Sequence, residues 1–227
     1  MKINILTLFP EMFQGPLSES IIKRAIGKGI VEINYFNLRD YAEDKHKTVD
    51  DTPYGGGAGM VLKIETMDLA ISNIVGKNRE DFRIILMTPQ GKTFNQEKAR
   101  ELTSYKNLLL ICGHYEGFDE RIREHLIDEE ISLGEFVLTG GEIAAAAIVD
   151  SVVRLLPGAL GNDDSSMEES FSLEKDGQKL LEYPIYTKPA IYKGWEVPTV
   201  LLSGDHKKIK EWRIDQAVKR TNKDDSR

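Results

Sequence analysis

At 227 residues, with 41% hydrophobic and 30% charged side chains, the chain can bury one full core and still have a smaller unit to spare. A formal net charge of -7 at pH 7 excludes a general nucleic-acid coat protein, so any nucleic-acid partner must meet a local basic patch. The single cysteine, Cys112, excludes a disulfide within the chain and a zinc site built on several thiolates, and points to a reducing compartment. In chain order, the opening MKINILTLFPEMF has an apolar run too short for a secretory segment, and no run of about 18 apolar residues follows. The expectation is a cytoplasmic protein with no membrane partner.

Lys2 to Phe9 reads as a short apolar strand, and Pro16 to Gly29 places Leu17, Ile21, Ile22, Ala25 and Ile26 on one helical face before glycine ends it. VEINYFNLRDY (31 to 41) alternates like a strand. RIILMTP (83 to 89) and NLLLICG (107 to 113) are continuous apolar runs, with helical patterns following from Asn95 and Phe118. EISLGEFVL (130 to 138) reads as a further strand, and GEIAAAAIVDSVVRLLPG as a buried helix closed by Pro157 and Gly158. Strands buried on both faces and alternating with helices predict an α/β fold with a mainly parallel sheet.

The character changes after Gly161. Residues 162 to 176, NDDSSMEESFSLEKD, hold six acids and four serines against one lysine, the composition of a flexible acidic linker. Beyond it, HKKIKEWRIDQAVKRT (206 to 221) predicts a helix with Ile209, Trp212, Ala217 and Val218 as its apolar set. Six Lys or Arg against two acids leave that helix locally basic. It is either a solvated face or the chain's best candidate for gripping RNA phosphates.

Several loops carry chemistry-bearing residues. TVDDTPYGGGAGM (48 to 60) has four glycines in the five positions from Gly55 to Gly59, which lets a backbone or a flat ring come close, but no Lys-Ser/Thr follows to make it a phosphate loop. Asp50 and Asp51 before it could accept hydrogen bonds from a base edge or cap a turn. CGHYEGFDERI (112 to 122) puts a glycine at a strand end, where open α/β sheets form ligand crevices. Tyr115 and Glu116 would face that crevice, unless Glu116 and Asp119 serve only the N-terminus of the next helix. Four histidines without ligand spacing argue against zinc. Neither a nucleophile elbow nor a base beside Cys112 is found. SLGEFVLTGGE (132 to 142) ends on two glycines without lysine, so its ligand is something other than a polyphosphate.

Together, LTLFPEMF, VDDTPYGGGAGM, ICGHYEGFDERI, SLGEFVLTGGE, LLPGALGN, ESF and PTVLLSGDH closely resemble, in that order, the bacterial tRNA (guanine-N1)-methyltransferase family of the SPOUT superfamily, which modifies guanine 37 beside the anticodon. The resemblance covers nearly the whole chain. It implies a SPOUT-type α/β domain with a C-terminal trefoil knot (residues 1 to 161), the flexible linker (162 to 176) and a small helical tRNA-binding domain (177 to 227), working as a homodimer on the tRNA anticodon stem-loop, with no DNA partner. S-adenosylmethionine would bind in the knot at Pro89, Gly113, Tyr115, Glu116, Gly117, Leu133, Gly134, Leu138, Gly140 and Gly141. An adenine ring needs an apolar slot and exposed backbone groups, and no phosphate calls for a lysine. The resemblance also implies a response to magnesium (Mg2+), although no all-oxygen cage can be read from these residues.

Guanine N1 carries a proton and is a poor nucleophile, so methyl transfer needs a general base and a group that offsets charge growing on O6. By resemblance the cation is Arg154, which could instead pair with Asp150 one helical turn back. The base is Glu169, where family members commonly have aspartate, with Glu168 as the neighbouring alternative. Glu182 replaces another frequent aspartate, and the linker is longer than usual between Phe171 and LLEYP. Asp50, Gly55 and Gly59 would approach the flipped base, while Lys207, Lys208, Lys210 and Arg213 would hold the anticodon stem. Two other functions compete: methylation of a different RNA position, and an RNA-binding or assembly factor without turnover.

Overall fold

A computed structural model describes residues 1 to 161 and 169 to 224, apart from the side chain of Asp224. The chain divides into two units, Met1–Gly161 and Asn162–Arg227.

The first unit is an α/β layer structure. Its elements run β1 (Lys2–Thr7), α1 (Ser20–Gly27), β2 (Glu32–Asn37), β3 (Asp50–Asp51), β4 (Val61–Leu62), α2 (Ile64–Val75), β5 (Phe82–Thr93), α3 (Gln96–Leu102), β6 (Asn107–Cys112), α4 (Glu120–His125), β7 (Glu129–Ser132) and α5 (Glu142–Val153). Among the described residues, five of these strands form one sheet in the order β2-β1-β6-β5-β7, and every pairing is parallel.

Strand periodicity explains the two cores. On β6, Leu108, Leu110 and Cys112 point to one face of the sheet and Leu109 and Ile111 to the other. The first face packs against α1 and α5 through Ile22, Ala25, Ile148, Val149 and Val152, the second against α2 and α4 through Met67, Ala70, Ile71 and Ile122. Burying each of the isoleucine, valine, leucine and methionine side chains among them stabilises the fold by about 1.5–3 kcal/mol. Helix α5 is apolar around most of its circumference because it lies deep in the first core.

Expected strands and helices mostly stand, with three differences. Helix α2 was not anticipated, although Met67, Ala70, Ile71 and Val75 recur at helical spacing on its buried side. The segment from 16 to 29 becomes helical only at Ser20. The strand expected over 130 to 138 stops at Ser132, whose hydroxyl donates to the Gly134 carbonyl (2.9 Å) and starts a turn. Phe136 and Val137 beyond it are exposed.

β7 is tied to its neighbours by a cluster around Glu129, which accepts from Arg83 Nε and Lys98 Nζ, both at 2.9 Å. Burial alone would push this carboxyl up, but the bonds from Arg83 and Lys98 outweigh it and hold it below the ordinary 4.5. A depressed folded-state value means that the stabilisation is complete above about pH 4.5 and lost as pH falls through the folded value. Thermal melts between about pH 3 and pH 7 should therefore show wild type losing Tm on acidification more steeply than Glu129→Gln. A constant gap between the two proteins would contradict this.

The second unit contains β8 (Glu174–Lys175), β9 (Gln178–Lys179), β10 (Ile191–Tyr192), β11 (Trp195–Glu196), α6 (Thr199–Leu202) and α7 (His206–Asp224). β8 and β9 form a hairpin that crosses the 176/177 boundary expected from composition. Phe171 N donates to the Leu180 carbonyl, and Leu173 packs with Leu180, Tyr183 and Ala217, so residues 169 to 176 belong to the same packed unit as α7. Of the apolar set expected on α7, Ala217 is fully buried and Ile209, Trp212 and Val218 are half-buried.

Candidate active site

β6 and β7 end on either side of the point where β5 leaves its pairing with β6 at Met87, and a cavity of about 260 Å³ opens there. Its walls come from Met87 to Pro89, from Gly113 to Glu116 with Phe118, and from the returning segment Ile131 to Leu133 and Phe136 to Gly141. This is the position where open α/β sheets present ligand crevices.

The irregular course of β5 helps to open the cavity. Its pairing with β7 slips between Met87 and Lys92, both opposite Ile131, and Gly91 passes so close to β7 that a Cβ there would lie 2.5 Å from the Glu130 carbonyl carbon. The opposite wall closes at Gly141, whose N–H donates to the Gly113 carbonyl (2.9 Å). A Cβ on Gly141 would meet Cys112 Cα at 2.8 Å and Gly113 N at 2.9 Å, so only glycine permits this approach.

Of the ten residues expected at the cofactor, Pro89, Gly113, Tyr115, Glu116, Leu133, Leu138, Gly140 and Gly141 line the cavity. Gly117 and Gly134 do not. Gly117 instead accepts from Leu62 N (3.0 Å), tying its loop to β4, and Gly134 sits beneath the Phe136 ring. The lining also includes His114, a histidine expected at the crevice or the surface, and Phe136, Val137 and Ala144, which sequence reasoning did not assign. Phe136 and Val137 carried a signal in the apolar run, but that run was assigned to a strand.

Glu116 and Asp119 turn out to differ. Asp119 caps α4, accepting from Arg121 N (3.0 Å), and its side-chain bonds from Arg121 hold its carboxyl below the usual range. Glu116 instead lines the cavity and lies against Gly59 of the glycine-rich loop. That loop is exposed, with positive φ at Gly55, Gly56, Gly57 and Gly59, and is anchored by Asp50 of β3 pairing with Leu62 of β4. A second cavity of about 820 Å³ adjoins it, sharing Phe118 with the first and lined by Asp51, Tyr54 and Arg121. Asp50 is half-buried and does not line either cavity.

Arg154 stands just after the last turn of α5, half-buried, where a cation complements the helix C-terminus. Ala144, on the cavity wall, lies near the other end of the same helix. Ten residues at 1.5 Å each separate them by about 15 Å along the axis. An arginine side chain cannot span that distance, so Arg154 and the cavity of its own chain do not meet.

In the second unit, Glu169 is half-buried and its carbonyl accepts from Ser172 N (3.0 Å). Glu168 lies outside the described residues. Lys207, Lys208 and Lys210 are exposed on α7. Arg213 is half-buried, its guanidinium 4.7 Å from the Tyr183 ring centre, so part of its role is to pack this unit. Among the described residues, no group of three or more His, Cys, Asp or Glu side chains is placed to hold a metal ion, and no helix is long and apolar enough to cross a membrane.

The cavity has the chemistry of an uncharged ring binder: apolar side chains, exposed backbone, one carboxylate and neither lysine nor arginine in its lining. Comparison with known proteins gives the family. The family model for tRNA (Guanine-1)-methyltransferase TrmD matches residues 1 to 226. The chain belongs to this family. Relatives called tRNA (guanine-N(1)-)-methyltransferase include one from Dehalococcoides mccartyi, 55% identical over 223 residues, covering 98% of this chain and 88% of that protein. Others come from Bacillus pumilus, 57% identical over 221 residues (97% and 88% covered), and Carboxydothermus hydrogenoformans, 57% identical over 221 residues (97% and 84% covered). The chain is thus an S-adenosylmethionine-dependent methyltransferase acting on N1 of guanine in tRNA.

Proposed function

We propose that the chain methylates guanine 37, beside the anticodon, as a cytoplasmic homodimer in which a SPOUT-type trefoil knot holds the cofactor and the small C-terminal helical domain holds tRNA. The observation that carries this reading is the cavity where β6 and β7 end beside Met87 to Pro89 of β5, built largely by residues that the family resemblance assigns to S-adenosylmethionine. Its lining fits that molecule: Leu133 and Leu138 offer an apolar slot for adenine, backbone at Gly113 and Gly140 offers hydrogen bonds to the ring edge, and the Glu116 carboxylate suits a cationic ligand. When bound, the cofactor supplies an electrophilic methyl group on sulfonium sulfur.

The residues of the chain supply the rest. Glu169 accepts the N1 proton of guanine, and Arg154 faces O6 and offsets its growing negative charge. The separation of Arg154 from its own cavity supports a site completed by a second copy, in which one protomer's cavity meets its partner's arginine. Gly59 lies against Glu116, and its loop, from Gly55 to Gly59, with Asp50 paired to Leu62 beside it in the fold of β3 and β4, suits a base flipped out of its stack. Lys207, Lys208 and Lys210 hold the backbone of the anticodon stem, with Arg213 beside them.

The test is methyl transfer from labelled S-adenosylmethionine to a tRNA transcript with guanine at 36 and 37, beside one with adenine at 37. Transfer should require guanine 37. Charge reversal of Lys207, Lys208 and Lys210 together should raise the KM for tRNA about tenfold or more and leave cofactor affinity unchanged. Equal transfer to both transcripts would move the target to another position, and cofactor binding without transfer would favour the non-catalytic reading.

A further inference from the structure

Glu142, the first residue of α5, is 1% exposed, which is unusual for a carboxylate. It is held from two sides. Thr7, at the end of β1, donates from Oγ1 to Glu142 Oε1 (2.6 Å), and His114 Nε2 lies 2.8 Å from Oε2. The Thr7 hydroxyl in turn accepts from Phe9 N (2.9 Å), and the Phe9 ring meets the His114 ring edge-on at 4.7 Å between centres. Burial first, then the charge of Glu142, pushes the neighbouring Cys112 thiol well up.

The placement matters because the two cavity walls meet here. His114 lies between Gly113 and Tyr115, all three lining the cavity, and Glu142 directly follows Gly140 and Gly141 of the opposite wall. A side chain on Gly140 would run into both His114 and Glu142. The walls therefore close on each other through this pair as well as through the single backbone bond from Gly141 to Gly113. A helix start needs an acid only at its surface, where the dipole is complemented at no desolvation cost. A carboxylate this deeply buried is kept by its partners: His114 lines the cavity, and the Thr7 segment meets the His114 ring through Phe9.

Resting on the cofactor reading above, we propose that Glu142 is a positioning residue for the S-adenosylmethionine pocket: it is fixed by Thr7 and holds the 113 to 116 wall in register with the 138 to 141 wall through His114. It does not touch the reacting atoms. Loss of the carboxylate lets the walls part, which weakens cofactor binding and leaves the chemical step intact once the pocket is filled.

Titration calorimetry with S-adenosylmethionine on the full chain tests this, with thermal melts and steady-state kinetics alongside. Glu142→Gln should raise Kd about tenfold, with kcat at saturating cofactor within about twofold of wild type. Thr7→Val should shift Kd the same way by less, and Thr7→Ser should restore it; this pair keeps the test usable where Glu142→Gln folds poorly. Because Glu142 acts through His114, the double variant Glu142→Gln with His114→Gln should bind no worse than the weaker-binding single variant. Additive losses, or a lower Tm with unchanged Kd, would overturn the positioning role. Leu138→Trp, which fills the cavity from an exposed position, separates the two readings. Normal binding by that variant would overturn the pocket itself, whereas lost binding there beside wild-type Kd in Glu142→Gln would overturn only the role of Glu142.

Discussion

Mixing two inactive variants, Arg154→Ala and Leu138→Trp, is expected to restore about a quarter of wild-type methyl transfer when they are co-expressed as one dimer population. Alone, Arg154→Ala should lose about 10²–10³-fold in kcat, because a cation aimed at developing oxyanion charge acts mainly in the transition state. Leu138→Trp should fail earlier, at cofactor binding, since Leu138 lines the cavity. The recovery follows from the geometry of α5. Gly141 and Ala144 stand at its cavity end and Arg154 just beyond its far end, so in the proposed dimer a complete site would take its cavity from one chain and its arginine from the other. Random pairing makes half the dimers mixed, and each mixed dimer has one intact site of two, hence about a quarter overall. Purified mixed dimers that stay inactive would show that Arg154 serves its own chain or none. Activity of Arg154→Ala alone at the wild-type level would remove it from the mechanism.

The parts of this fold that were legible in the sequence are those in which one residue pattern serves one purpose. β6 reads plainly because NLLLIC is buried on both faces, and α5 because an uninterrupted small-apolar run has nowhere to go but the core. The segment Phe136 to Leu138 looked like the same signal and was not. Its apolar side chains are exposed at the mouth of a cavity, and periodicity cannot distinguish an apolar residue waiting for a ligand from one facing a core. Helix α2 has helical spacing in its apolar residues, yet it follows directly on the glycine-rich loop and β4, and no capping residue marks its start, since Lys63 makes no side-chain cap bond.

The candidate site divides in the same way. Resemblance brought the cavity residues forward, and the glycines among them have a local physical reason, since a Cβ on Gly141 would strike backbone. Glu142 had no such signal. An acid opening a helix is ordinary, and its burial depends on Thr7, 135 residues away, and His114, 28 residues away, arriving at the same point. Likewise, the α7 cations read alike in sequence, and only packing separates Arg213, stacked over Tyr183, from the exposed Lys207, Lys208 and Lys210.

Glu169→Ala is expected to lower kcat by about 10²–10⁴-fold, the usual contribution of a positioned general base, with Kd for S-adenosylmethionine unchanged. Methyl transfer to N1 puts positive charge on the ring unless the N1 proton leaves, so the loss falls on the chemical step and is read in single-turnover assays at saturating tRNA. The telling variant is Glu169→Asp. It keeps the carboxylate, shortens its arm by one methylene, and gives the residue that the family resemblance implies at this position. If the backbone around Glu169 is set for the longer side chain, the shorter one costs more than about tenfold, because near-attack geometry degrades steeply over an ångström. If Asp works as well as Glu, the segment adjusts when tRNA binds and the carboxylate alone matters. Full activity in Glu169→Ala, with loss in Glu168→Ala instead, would move the base one residue back along the chain.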